Sequence, residues 1–134
     1  MAESRIRHAD FIRVGKKTWA LFIACKTAPS EFQTVRREVL YKLHCVMYHA
    51  RNDLQDPDST IANLDYSGAT YLSTSVNGSL DMLDQLDGLL RLYRTAAAVL
   101  LERDGVVLED VTARLMMHTS VLTALFIGIF GPKG

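Results

Sequence analysis

Cys45 and His49 are four residues apart, and His44 lies beside Cys45. On a helix that spacing puts a thiol and an imidazole on one face, which is half of a zinc site. No second Cys/His pair occurs to close the tetrahedron, so no metal centre is expected. The stretch "DLQDPDST" resembles the acidic start of a calcium loop. Counted from Asp56, however, Ile61 stands where the loop needs Gly and Ser67 where it needs Glu. Asp81, Asp84 and Asp87 share one side of a helix, a pattern that reads as a solvated face. His118 sits among apolar residues, where a lone imidazole reads as a hydrogen-bonded core residue. "VNGSL" and "FIGIFGPKG" lack the spacing of a phosphate loop, and no G-x-S-x-G elbow is present. Acid, base and oxyanion donor are nowhere assembled. The expectation is therefore a protein that is not an enzyme and has neither cofactor nor small-molecule substrate.

The elements that carry these residues read as helices. Asp10 can cap a first helix over about 11–26. Phe11, Ile12, Val14, Gly15, Thr18, Trp19, Phe22 and Cys25 fall on its apolar face, and Arg13, Lys16, Lys17 and Ala20 fall opposite. Pro29 ends that helix, and Ser30 with Gln33 fits a capping box that starts the next. A break so short favours antiparallel packing. The second helix, about 31–51, carries the stripe Phe32, Val35, Val39, Leu43, Val46, Met47 and Ala50. Arg37, Tyr41, His44, Cys45 and Tyr48 point the other way.

Residues 52–74 read as a long connection with a short helical turn at 60–65. A third helix is expected from Ser75 to at least Tyr93, burying Val76, Leu80, Leu83, Leu86, Leu90, Tyr93 and Ala97. Asp104-Gly105 reads as a further break. A fourth helix, about 107–130, buries Leu108, Val111, Leu115, His118, Leu122, Leu125, Phe126 and Ile129. The predicted architecture is a single all-α domain over 1–134, an up-and-down bundle of four principal helices with its long loop between helices two and three.

The 134 residues suffice for one core, and 49% are hydrophobic, so the chain folds. Net charge is zero, which disfavours a dedicated nucleic-acid binder. Residues 1–51 nevertheless carry ten Lys/Arg against four Asp/Glu, and residues 52–93 one Arg against seven Asp. Basic and acidic parts can pair inside the fold, or meet a partner, a membrane or another copy of the chain. Two cysteines and a charged N-terminus suit reduced thiols in the cytoplasm. The run 115–132 lacks Lys, Arg, Asp and Glu and reaches the lower limit for a membrane span. Its His, Thr and Ser residues favour a buried bundle helix.

"DFIRVGKKTWALFIACKTAPSEFQTVRREVLYKLHCVM" resembles the start of a helical domain found at the N-termini of fungal signalling proteins. Asp10, Phe11, Gly15, Trp19, Cys25, Lys26, Ala28, Pro29, Phe32, Glu38, Val39 and Leu43 fit its pattern of aromatics around a Lys-x-Ala-Pro hinge. "GSLDMLDQLDGLLRLY" and "LEDVTARLMMHTSVLTALF" resemble its later helices. In that family the domain precedes ankyrin repeats, kinases or nucleotide-binding oligomerisation domains of the NACHT type, and it is related to HeLo-like cell-death bundles. The chain departs from the pattern at "TAAAVLLERDGVV", where the family often has a basic, Trp-containing loop, and at Ser79, where it often has Cys.

The resemblance implies an interaction or oligomerisation module of a fungal immune-like, heterokaryon-incompatibility or programmed-cell-death pathway. Its partner would be a protein or another copy of itself. The alternative is a membrane-targeting or membrane-permeabilising module that docks on anionic lipid when activated. The surface expected to do this is the back of the first hairpin: Arg13, Lys16, Lys17, Arg37, Tyr41 and Tyr48. Helix periodicity turns all six away from the core. The competing reading has the 52–74 loop covering both tyrosines.

Overall fold

The structure, a computed structural model, describes residues 8–28, 30–59, 61–96 and 102–126. Among them every regular element is helical. Helix α1, His8–Ala24, tightens into a 3-10 turn at Cys25–Thr27. Helix α2, Ser30–Val35, passes through a π-helical segment, Arg36–Leu40, into α3, Tyr41–Leu54. A 3-10 turn at Ile61–Asn63 precedes α4, Tyr66–Ala96, and α5 spans Glu102–Phe126. With α2, the π segment and α3 taken as one rod, four principal helices result. The most extensive packing joins α4 to α5 and α1 to α3, while α1 also meets α4 and α3 meets α5.

The first hairpin forms because the end of α1 is closed by side chains of the next rod. Ala28 is extended, at φ −81° and ψ 163°, as a residue before proline must be. The 3-10 turn keeps one backbone bond, from Ala28 N–H to the carbonyl of Cys25 at 3.1 Å, and the remaining acceptor capacity at this end is met by side chains. Gln33 Nε2 donates to the carbonyls of Cys25, at 2.8 Å, and Ala28, at 3.0 Å. Arg36 Nε donates to the carbonyl of Phe22 at 3.2 Å, and its guanidinium lies 4.3 Å from the Phe22 ring centroid. Gln33 thus grips the preceding helix, a different job from the capping-box bond to Ser30 that its spacing predicts.

The π segment explains a core residue that periodicity misses. A wide turn adds one residue to the helical cycle, and here Val39 and Leu40 both point inward, at 1% and 0% exposure. Phe32, Val35, Leu43, Met47 and Ala50 complete the buried stripe as expected, with Val46 half-buried at its edge. On α1 the fully buried set is Phe11, Val14, Thr18, Leu21 and Cys25. That spacing is a narrow a/d seam. It leaves Ile12, Gly15 and Phe22 only half-buried and Trp19 exposed, so the predicted face was drawn too far round towards Trp19. Thr18 satisfies its buried hydroxyl by donating to the carbonyl of Val14, as Ser79 does to that of Ser75 and Thr119 to that of Leu115.

Two predicted boundaries move. The connection after α3 is shorter than 52–74, because α3 runs to Leu54 and α4 already starts at Tyr66. Asp65 makes the earlier start possible: its carboxylate accepts the N–H of Gly68 at 2.7 Å and its carbonyl that of Ala69 at 2.8 Å. The turn expected at 60–65 is the 3-10 turn, anchored by buried Ile61 and by Asn63 donating to the carbonyls of Pro57 and Ser59. Asp104-Gly105 is not a break, since both lie inside α5. Acidic residues suit the first turn of a helix, and glycine costs little there. Asp10 likewise lies within α1 rather than ahead of it. Tyr93 has no described side chain, and Ala97, Ile129 and the end of the uncharged run 115–132 lie outside the described residues.

Helices α4 and α5 meet closely at one glycine. A Cβ on Gly78 would stand 2.5 Å from Cε1 and Nε2 of His118. His118 is half-buried, and burial lowers its pKa, with the positive charge of Arg114 adding to the effect.

Three outcomes are expected. Val35→Asp and Leu83→Asp, both fully buried, should each abolish cooperative melting, because an unpaired charge enters the core. Gly78→Ala gains about 1 kcal/mol of helix propensity but overpacks the His118 ring at about 1–3 kcal/mol. It should lower the melting temperature in the wild type and raise it beside His118→Ala. Because the folded pKa of His118 lies below the unfolded one, its contribution is present above about pH 6.5 and is lost as pH falls below that value. Melting measured at about pH 7.5 and about pH 5.5 should lose part of its pH dependence in His118→Gln.

Candidate interaction site

The seam between α1 and α3 carries a run of aromatic rings that the core does not absorb. Trp19 is 44% exposed, Tyr41 54% and Tyr48 53%. Trp19 stacks on Phe22 with centroids 5.2 Å apart and lies 4.8 Å from the His44 ring. Phe22 is in turn 6.1 Å from Tyr41. Further along α3, Arg51 sits 5.6 Å over the Tyr48 ring, whose edge meets His49. The narrow seam on α1 sets Trp19 on the flank of that helix, and the ordinary helical period turns Tyr41 and Tyr48 outward on α3.

Beside these rings the two helices leave an open hollow of about 300 Å³. Phe11 and Met47, both buried, contribute to its lining along with Trp19 and Tyr48. Lys16 and Arg51 line it too, and among the described residues no carboxylate does. His44, another lining residue, has its Nδ1 buried without a hydrogen-bond partner among the described residues. Gly15 leaves room at the helix crossing, where a Cβ would make only ordinary contact with Met47. The hollow can take an apolar group and hold negative charge at its edge; it contains no pairing of nucleophile and base.

The six residues expected to form the interaction surface are not one patch. Lys16 and Tyr48 share the hollow. Tyr41 lies further along the seam, against Phe22 on one side and beside a shallow depression shared by α3 and α5 on the other. Arg13 and Arg37 are exposed and make no ion pair with a described residue. Lys17 departs from the expectation, since it bridges to Asp84 on α4 and so serves the fold. That bridge is part of the charge split made internal, and its exposed partner keeps it weak. Asp87 pairs with Arg91 at 3.1 Å within α4. The connection after α3 does not cover Tyr41 or Tyr48, as their exposure shows. Periodicity missed Trp19, assigned to the core, and Arg51, left unassigned. The heptad spacing of Phe11, Val14, Thr18, Leu21 and Cys25 was the available signal for Trp19.

Among the described residues no group of three His, Cys, Asp or Glu side chains is placed to hold a metal ion. No described helix is long and apolar enough to cross a membrane. No protein-family model, curated protein or solved structure matches the chain.

Because Tyr41 and Tyr48 are exposed, replacing both by Ala should change stability by no more than about 0.5 kcal/mol, as for ordinary surface positions. Chemical denaturation of the double variant against wild type checks this. A loss of several kcal/mol would return the tyrosines to the core.

Proposed function

We propose that the chain is a non-enzymatic interaction module that self-associates or docks a protein partner. The observation that carries the reading is the exposed ring run over α1 and α3 beside the basic hollow. Interfaces are enriched in Trp, Tyr and Arg and anchor on aromatic side chains in desolvated pockets. The hollow, with Trp19, Tyr48, Lys16 and Arg51 around it, has that composition. The resemblance to the fungal signalling domain supplies the setting: a cytoplasmic immune-like or cell-death pathway, with the four helices as an up-and-down bundle.

Lys16→Glu combined with Tyr48→Ala tests the reading. Neither residue is held by the fold, so melting should stay close to wild type. Self-association by light scattering, or capture of a partner from a fungal extract, should fall at least tenfold, and raised salt should weaken the wild type in the same assays. Unchanged association by the folded variant would refute the site.

A second reading is favoured by the same composition. Exposed Trp and Tyr beside Lys and Arg also suit the edge of an anionic bilayer. In that case the chain would lie on the membrane and bind through apolar contact together with charge. Flotation with anionic vesicles, and its absence with neutral ones, is the expected result. Failure to float with either would remove this reading and leave the first intact.

A further inference from the structure

We infer that the chain assembles head to tail with copies of itself, the basic aromatic hollow of one copy receiving a second, acidic groove of the next. This rests on the self-association branch of the proposed function and names the two surfaces.

The second surface lies between α2 and α5. It is a groove of about 680 Å³ lined by Val106, Leu108 and Met116 together with Glu31 and Glu109. Val106 is 61% exposed and Met116 48%. Neither Glu31 nor Glu109 pairs with a described cation, and no described Lys or Arg side chain lines the groove. The first hollow has the opposite character, with Lys16 and Arg51 and no described acid. No residue lines both, and they involve different helices.

Sign decides the geometry. A twofold dimer built on one of these surfaces alone sets that patch against its own copy. Through either surface that would bring like charges together, which is unfavourable. Only hollow against groove pairs Lys16 and Arg51 with Glu31 and Glu109. It also sets exposed Trp19 and Tyr48 against Val106 and Met116, and thioethers make favourable contacts with aromatic rings. Made once per pair of copies, such a contact is heterologous: it leaves one free surface at each end and propagates beyond the dimer or closes into a ring of three or more.

Sedimentation velocity on the full chain tests this with two variants, Lys16→Gln with Arg51→Gln, and Glu31→Gln with Glu109→Gln. Wild type at low salt should form species larger than a dimer as concentration rises, and high salt should dissolve them. Each variant alone should lose association at least tenfold. Mixed one to one, they should form a complex of two chains that grows no further, because each supplies the surface the other lacks. A wild type that stops at the dimer, variants that assemble like wild type, or a mixture that stays monomeric would each overturn the inference. A monomeric wild type whose binding to anionic vesicles needs Lys16 and Arg51 would overturn it too and assign the hollow to lipid. A monomeric wild type that still captures a partner protein through Tyr48 would overturn it while sparing the docking branch of the proposed function.

Discussion

Gln33 and Arg36 close the carbonyl end of α1 from the neighbouring rod, and the remaining geometry depends on that closure. Pro29 forces a break, and a broken helix leaves carbonyls without donors. Water could take those bonds, but then nothing would fix the angle between the rods. Gln33 bridges the carbonyls on both sides of the turn, and Arg36 reaches back to Phe22. An arginine at this end also opposes the negative pole of the helix dipole. The two neutral Gln33 bonds contribute about 0.5–1.5 kcal/mol each and the charged Arg36 bond about 1.5–3 kcal/mol. That is enough to hold α1 along α3 and to clamp the Phe22 ring between Arg36 and Trp19.

The π segment acts one turn further on. It lets Val39 and Leu40 enter the core together. Leu43, Met47 and Ala50 still face inward, and Tyr41 and Tyr48 face out. The closed hinge lays α1 along α3, and the widened turn adds Leu40 to the core without changing which residues of α3 face out.

Much of this was legible in the chain itself. The Ala-Pro break, the stripes on α3 and α4, and the outward tyrosines follow from period and from proline chemistry. The start of α4 was not legible, because Tyr66, Ser67, Gly68 and Thr70 are poor helix formers or turn formers. One capping carboxylate on Asp65 and packing against the bundle outweigh them. Gly105 misled in the same way, since glycine marks a turn only where the surroundings do not hold the helix. Trp19 misled for the opposite reason. Its size argues for burial, but the narrow seam of α1 leaves it on the flank. The partner of Lys17 could not be read at all, because Asp84 is distant in sequence and only the packing of α1 on α4 brings them together.

The fold uses some of its basic residues and leaves others idle. Arg36 caps a helix and Lys17 bridges to α4. Arg13, Lys16 and Arg37 do neither, and charge alone is no anomaly on a surface. Exposed rings are different. Burying a large apolar side chain is worth about 1.5–3 kcal/mol, and Trp19, Tyr41 and Tyr48 forgo much of that gain in the isolated chain. So do Val106 and Met116 on the opposite-signed groove. Scattered exposure of this kind is ordinary. Here Trp19 and Tyr48 gather at a basic hollow, and Val106 and Met116 at a groove that carries Glu31 and Glu109, so each surface supplies what would complete the other. In the proposed assembly the stability forgone in one copy would be recovered on contact with the next, which would give the two surfaces a single physical account.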